Sequence, residues 1–168
     1  MQTQIKNRLL ALEAERWLGI QEEGGNNRGQ IVRLFQSHMG GSSGAPWCMS
    51  FVQYCCHWVD RIGEIIGLME PSRLHKSDHC MTVWNNTPNR SQLPFIGSVV
   101  IWNVQGTSSG HTGIVVGIDQ KIITTIEGNT TDSSSRIVSE GDGVYKKRRP
   151  LESIGSLKLM GFLSPWRS

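Results

Sequence analysis

The chemistry of this chain centres on Cys48, which lies in the stretch Ala45-Pro46-Trp47-Cys48. A Gly- and Ser-rich loop precedes it and apolar residues at helical spacing follow it. We therefore predict that a helix begins here, with Pro46 at its first position. The first amides of a helix have no intrahelical partner and favour negative charge, which lowers the pKa of a thiol held there. Cys48 is either an activated nucleophile or a small buried hydrophobe, and the local pattern does not decide between them.

A cysteine nucleophile needs a base, and the base needs a third group that orients it. Among the five histidines, His111 follows a Gly-rich loop and leads a segment rich in β-branched residues. We expect it at the end of a strand, directed toward the start of the Cys48 helix. Glu127 and Asn129 end the next predicted strand, so a hairpin of the two strands would bring both polar side chains beside His111.

The register of this hairpin decides whether the three polar residues meet. A two-residue turn at positions 119–120 would place Glu127 on the opposite face from His111. A three-residue loop or a bulge would instead place His111, Glu127 and Asn129 on one face. We predict the second register, with these side chains facing the helix and with Gly113 and Gly117 leaving room for it to approach.

The rest of the pattern predicts helices first and strands afterwards. Helices are expected over residues 4–19, 28–39 and 48 to about 62 or 69, and Asp78 is expected to cap a short fourth helix that ends near residue 84. A surface loop is expected over residues 85–94, and strands over 98–104, 112–118, 121–127 and 157–163. This order indicates an α+β fold with the helices on one face of an antiparallel sheet. The basic run at residues 146–149 is interpreted as a solvated strand edge.

Length and composition narrow the function. The 168 residues suit one domain, covering 1–168, with no separate wall-binding domain. Charged residues make up 18% and the net charge is +3, which argues against a nucleic-acid partner. No apolar run is long enough to span a membrane and no secretory signal is evident, so we expect synthesis in the cytoplasm without insertion into a membrane. We also expect a monomer. The four cysteines are expected to be thiols.

Three motifs together resemble the CHAP family, the cysteine, histidine-dependent amidohydrolases/peptidases of papain-like fold. They are Trp-Cys at 47–48, Gly-His-Thr-Gly-Ile-Val-Val at 110–116 and Ile-Glu-Gly-Asn at 126–129. The likeness runs from residue 14 to residue 162. One departure is Phe-Ile-Gly-Ser at 95–98, where such domains usually carry Pro-Gly-Asp, and no run of spaced Asp residues resembles the calcium loop of some members.

The resemblance implies a role for each matching residue. Cys48 would be the nucleophile, His111 the base, Glu127 the orienting group and Asn129 a fourth polar member of the site. Residues expected to contact the substrate are Trp47, Asn27 and Glu23.

The implied activity is a peptidoglycan hydrolase that cleaves an amide bond through a thioester. The bond lies in the stem peptide or cross-bridge, or it is the N-acetylmuramoyl-L-alanine link. The partner is a peptidoglycan peptide, no cofactor or metal is expected, and the enzyme would reach the wall after release or delivery by another system.

Two rival interpretations remain. A catalytically silent CHAP-like module could bind a cell-wall peptide or a partner protein. Alternatively, His75, His79 and Cys80 could form a metal site, if the two histidines share one helix face at a spacing of four residues.

Overall fold

Four helices precede the sheet in the computed structural model, which describes residues 1–132 and 141–166. The helices are α1 (Gln2–Glu15), α2 (Gln30–His38), α3 (Cys48–Ile65) and α4 (Cys80–Asn86). The strands are β1 (Arg90–Ser91), β2 (Val99–Val104), β3 (Gly110–Asp119), β4 (Ile122–Thr130), β5 (Gly143–Pro150) and β6 (Leu157–Leu163). Within the described ranges, no helix combines the length and the apolar character that crossing a membrane requires.

The six strands form one antiparallel sheet in the order β1-β6-β2-β3-β4-β5. The fold is α+β and papain-like, as predicted, and all four predicted strands are present. Two further strands were not predicted as such. The short β1 lies inside the expected loop at 85–94, and β5 contains the basic run.

The sheet has a different apolar cluster on each face. The larger cluster joins the helices to one face and includes Phe35 and Phe51 from the helices and Ile126 from β4. The smaller cluster contains only sheet residues and segments next to them, such as Trp102 and Val115. The helices therefore cover one face, and the other face has an apolar layer of its own.

The close approach of α3 to the sheet depends on Gly128. A Cβ added at this position would lie 2.8 Å from Cζ3 of Trp47 and 2.9 Å from Cβ of Phe51. Real Cβ atoms essentially never come this close, so any side chain here would push α3 and β4 apart. Trp47, Phe51 and the β4 backbone pack against one another because residue 128 has no side chain.

The predicted role of Gly113 is wrong. A Cβ at Gly113 would meet Cγ of Glu127 at 2.6 Å, and one at Gly117 would meet Cβ of Thr124 at 3.2 Å, so both glycines face neighbouring strand residues. Val115, two residues after Gly113, belongs to the cluster on the helix-free face. Because alternate strand residues share a face, His111 lies on the same face of β3 as Gly113 and Val115, and Glu127 lies on that face beside Gly113. His111 is near the start of β3 and Cys48 is the first residue of α3, so the two still meet at the cavity that both line.

Two helix starts also differ from the prediction. Trp47 is the N-cap of α3, so Pro46 precedes the helix instead of occupying its first position. His79, and not Asp78, is the N-cap of α4, and it provides no side-chain capping bond. Ser77 Oγ accepts a hydrogen bond from the His79 N–H at 3.1 Å, and this local turn places the helix start at Cys80.

A buried polar junction fixes α3 from behind. Asp60 of α3 accepts hydrogen bonds from Lys6 Nζ at 3.0 Å, from Trp166 Nε1 at 2.7 Å and from the Ser72 N–H at 2.8 Å. Lys6 is only 2% exposed, so its charge needs this partner. The junction joins α1, the segment after α3 and the end of the described chain to the helix that begins with Cys48.

Candidate active site

Cys48 is the first residue of α3, and its thiol opens onto a cavity of about 370 Å³. His111 and Asn129 line the same cavity from the sheet side, and residues 78–80 line it from the start of α4. Cys48 itself is 8% exposed. The thiol is therefore shielded from bulk water but accessible to a molecule that enters the cavity.

The β3–β4 hairpin places His111 and Glu127 in direct contact. His111 Nε2 and Glu127 Oε2 are 2.8 Å apart. The turn consists of residues 120–121, and the register shifts between Val115 and Gly117, so Val116 is an extra residue in β3. With this two-residue turn and no bulge, His111 and Glu127 would lie on opposite faces of the sheet. The extra residue brings both side chains to one face, which confirms the predicted register.

The His111 side chain lies beside the nucleophile candidate in the cavity. His111 lines the cavity together with Cys48, and its interactions with Cys48 and with Glu127 both raise the pKa of its imidazole. Because Nε2 is engaged by Glu127, Nδ1 is the nitrogen that remains for the thiol. Cys48, His111 and Glu127 thus follow one another from α3 through β3 to β4, and the His111–Glu127 contact of 2.8 Å joins the last two.

Arg149 extends this series and was missed in the sequence analysis. Its Nε donates to Glu127 Oε1 at 2.8 Å and its Nη2 donates to Oε2 at 2.6 Å, a two-point contact between fully or nearly fully buried groups. Thr125 Oγ1 donates to Oε1 at 2.6 Å. The carboxylate is therefore fixed in orientation before it meets His111.

A signal for Arg149 was present in the basic run. In a strand, residues 147 and 149 lie on one face and 146 and 148 on the other. The structure separates them in this way: Lys147 and Arg149 are buried, whereas Lys146 and Arg148 are exposed. The solvated-edge interpretation holds for the exposed pair only.

Trp102 provides a wall behind the histidine. Its ring stacks on the His111 ring with centroids 6.0 Å apart and planes 21° apart. The Arg149 guanidinium lies 5.9 Å from the Trp102 ring centroid, so the same indole also contacts the group that holds Glu127. Trp102 is fully buried, and its ring limits the rotation of His111.

Comparison with known families identifies the family of the chain. The family model of the CHAP domain matches residues 40–129, which is more than half of the chain. The chain belongs to the CHAP family. A search of the curated proteins gave no match.

CHAP domains are typically hydrolases of the amidase or peptidase type, and peptidoglycan is the substrate class that the family implies. The matched region begins before α3 and ends at Asn129. It contains the four polar residues singled out by the sequence, but it stops short of Arg149.

The electrostatics of this CHAP domain favour a charged pair. Hydrogen bonding from Cys80 and from His111 lowers the pKa of the Cys48 thiol, although burial acts in the opposite direction. Burial by itself would lower the pKa of His111, but its hydrogen bonds to Cys48 and Glu127 outweigh burial and raise this pKa to about 9. Burial would raise the pKa of Glu127, yet hydrogen bonds from Arg149 and His111 hold it far below its usual range. The arrangement favours a thiolate beside an imidazolium.

Cys80 was considered in the sequence analysis only as a metal ligand. Its sulfur lies 3.7 Å from the Cys48 sulfur. The shared helix face on which the metal interpretation relied is wrong: α4 begins at Cys80, so His75 and His79 both precede the helix. Among the described residues, no group of three potential ligands is close enough to hold a metal ion.

The three predicted substrate contacts lie outside the cavity. Trp47 is fully buried, stacks on Phe35 with centroids 5.6 Å apart and donates from Nε1 to Glu22 Oε1 at 2.9 Å. Asn27 is buried with a φ of 55°, and its N–H donates to Glu22 Oε2 at 2.8 Å. Glu23 is exposed. Glu22 thus links the loop at 21–29 to the residue that precedes Cys48.

Asn129 does line the cavity, beside Cys48 and His111. It has a φ of 54° and is 4% exposed, and its Oδ1 has no hydrogen-bond partner among the described residues. A buried amide oxygen without a partner is costly, so this atom is an unsatisfied acceptor next to Cys48 and His111.

Proposed function

We propose that this CHAP domain hydrolyses an amide bond of peptidoglycan, with Cys48 as nucleophile, His111 as acid and base, and Glu127 as the residue that orients His111. The observation that carries the proposal is the series from the Cys48 thiol through His111 to Glu127, which ends at a cavity open to a ligand. Its members have the chemistry that nucleophilic acyl transfer requires.

The reaction begins with attack of the Cys48 thiolate on the carbonyl carbon of the amide. The negative charge that develops on the carbonyl oxygen is stabilised by free N–H groups in the first turn of α3, since the first intrahelical donor that bonds back is the Phe51 N–H, to the Trp47 oxygen. His111 then protonates the leaving amine, and a thioester forms on Cys48.

Water completes the cycle. His111, now neutral, accepts a proton from water, which attacks the thioester and releases the carboxylic acid. Glu127 keeps Nε2 of the imidazole engaged, so that Nδ1 faces the sulfur throughout.

The test compares the wild-type chain with Cys48→Ala on purified peptidoglycan. New amino groups should appear with the wild type and be reduced to background with Cys48→Ala, whereas Cys56→Ala, which removes a buried thiol outside the cavity, should retain release. Mass spectrometry of the products separates an amidase, which frees the amine of the first stem residue, from an endopeptidase, which cuts within the stem or the cross-bridge. Unchanged release by Cys48→Ala would reject the mechanism. Wall binding by a wild type that releases no amine would favour the silent-module alternative.

A further inference from the structure

A second thiol stands beside the proposed nucleophile and has no part in the mechanism above. The Cys80 and Cys48 sulfurs are 3.7 Å apart, and both residues line the cavity. Each is the first residue of its helix, Cys48 of α3 and Cys80 of α4. The two thiols therefore face each other across the junction of two helix starts.

The position of Cys80 is held from two sides. Gln53 of α3 donates from Nε2 to the carbonyl oxygens of His75 at 2.7 Å and Ser77 at 3.4 Å, which ties the segment before α4 to the Cys48 helix. On the other side, a Cβ at Gly110 would lie 3.0 Å from Cβ of Cys80, so the start of β3 packs directly against it. These contacts keep Cys80 close to Cys48.

The two thiols differ in reactivity. Cys48 has the His111 imidazole as a partner, and a thiolate is the form that oxidants attack. Within residues 1–132 and 141–166, no basic side chain hydrogen-bonds to Cys80, and hydrogen bonding to Cys48 together with burial raises the pKa of its thiol. Cys55 and Cys56 are fully buried and do not line the cavity. Cys80 is thus placed to react with the sulfur of Cys48 once Cys48 has been oxidised.

We propose that Cys80 is a resolving cysteine, which converts peroxide-oxidised Cys48 into a reversible Cys48–Cys80 disulfide at the cavity. This inference rests on the proposed function only in that Cys48 is the nucleophile whose activity the disulfide would stop.

The step is balanced with hydrogen peroxide as the oxidant. The Cys48 thiolate attacks one peroxide oxygen, the O–O bond breaks, hydroxide leaves and Cys48 becomes a sulfenic acid. The Cys80 sulfur then attacks the Cys48 sulfur, the S–O bond breaks, and water leaves with the Cys80 proton. The sulfurs must approach from 3.7 Å to a bond of about 2.05 Å, a movement that side-chain rotation and a small shift of the α4 start would supply. A dithiol returns two electrons and two protons and restores both thiols.

The first measurement needs no peptidoglycan. The reduced full chain is treated with equimolar hydrogen peroxide, and the intact mass should fall by about 2 Da for loss of two hydrogens. Trypsin should release residues 34–61 covalently joined to residues 77–90. Chymotrypsin then cuts between Cys48 and Cys55, which assigns the bond to Cys48. Absence of this cross-link, or a bond from Cys80 to Cys55 or Cys56, would overturn the proposal.

Variants provide the second measurement. Cys80→Ser and Cys80→Ala should form no cross-link. Their oxidised Cys48 should instead be trapped by dimedone when dimedone is present, and in its absence further peroxide should convert it to sulfinic acid that dithiothreitol does not reverse. Cys56→Ala is the matched control and should keep the cross-link. Far-ultraviolet circular dichroism checks folding, and two different substitutions at position 80 guard against a fold defect in one of them. Equal dithiothreitol-reversible oxidation of Cys48 in the wild type and in both Cys80 variants would contradict the role.

The functional consequence is measured separately. Amine release from peptidoglycan by the oxidised wild type should fall by about tenfold or more, and dithiothreitol should restore it to within about twofold. Full activity of a preparation shown to carry the disulfide would overturn the inhibitory role. A cross-link that forms in a chain with no hydrolase activity even when reduced would reject the proposed function and leave the disulfide standing, so the two failures are distinguishable.

Discussion

Arg149 donates hydrogen bonds to both carboxylate oxygens of Glu127, at 2.8 and 2.6 Å, on the face of the sheet opposite the described helices. The same carboxylate contacts Nε2 of His111 at 2.8 Å. Arg149 on β5 therefore fixes the orientation of Glu127 on β4, and Glu127 fixes the orientation of His111 on β3 beside Cys48. A guanidinium is suited to this position because its fixed fork matches a carboxylate, whereas an ammonium provides a point charge.

Replacing Arg149 with lysine should keep the positive charge but lose the two-point grip. We expect amide hydrolysis to fall by about 10²-fold, because a displaced Glu127 no longer holds the imidazole against the thiol. Arg148→Lys is the matched control, since Arg148 is the exposed neighbour on the other face of β5. The measurement is kcat and KM for amine release. Equal losses in both variants would show that the effect is not specific to the Glu127 contact.

Glu127→Gln should slow hydrolysis by about 10²- to 10⁴-fold without abolishing it, because the nucleophile and the oxyanion donors remain. The neutral amide no longer stabilises the imidazolium, so the pKa of His111 should fall below its value of about 9. The pKa of His111, followed by NMR on specifically labelled histidine, is a readout that a purely structural defect would not move in this direction. Glu15→Gln, in an exposed ion pair with Lys146, is the control. An unshifted His111 pKa would contradict the orienting role.

The pH dependence of hydrolysis follows from the shifted pKa values of Cys48 and His111. The reactive form is the thiolate–imidazolium pair, which is present above the lowered pKa of Cys48 and is lost as pH rises through the His111 pKa of about 9. We expect kcat/KM to remain high through neutral pH and to fall with a midpoint near pH 9. Alkylation of Cys48 by iodoacetamide, measured without substrate, should extend to pH values well below those of an ordinary thiol. An alkaline limb near the ordinary histidine pKa of about 6.5 would contradict the pairing.

The free energy of unfolding should also depend on pH through the ionisation of Glu127. Its folded-state pKa is depressed, so its stabilising contribution is present above the ordinary glutamate pKa of about 4.3 and is lost as pH falls below that value. Urea unfolding between pH 7 and pH 3 should show a steeper loss of stability for the wild type than for Glu127→Gln. Parallel curves for the two chains would count against this contribution.

Gly128→Ala tests how closely α3 approaches the sheet. The added Cβ would lie 2.8 Å from Trp47 and 2.9 Å from Phe51, and we expect a loss of about 1–3 kcal/mol in the free energy of unfolding. Gly117→Ala is the comparison, since its Cβ would meet only Thr124, at 3.2 Å or more. Urea unfolding measures both. A greater loss at Gly117 would contradict the assignment of Gly128 as the contact point.

The sequence by itself determined the order of the elements and the identity of the central residues. Helical spacing after Cys48 and β-branched runs after residue 97 are local patterns, so they predict α3 and four of the strands directly. The meeting of His111 with Glu127 was also predictable, because strand parity limits the hairpin to two outcomes and a bulge selects the correct one. The family motifs coincide with these same local segments.

The tertiary structure alone decided which face these residues occupy and which further residues reach them. Strand alternation shows which residues share a face, but it does not show which of the two faces the helices cover. The packing of Trp47 and Phe51 against Gly128 decides this. Arg149 joins Glu127 only because β5 pairs with β4, and Cys80 reaches Cys48 only because Gln53 and Gly110 bring the start of α4 against α3. These are contacts between residues distant in sequence, and their energies arise from packing and burial that no local pattern encodes.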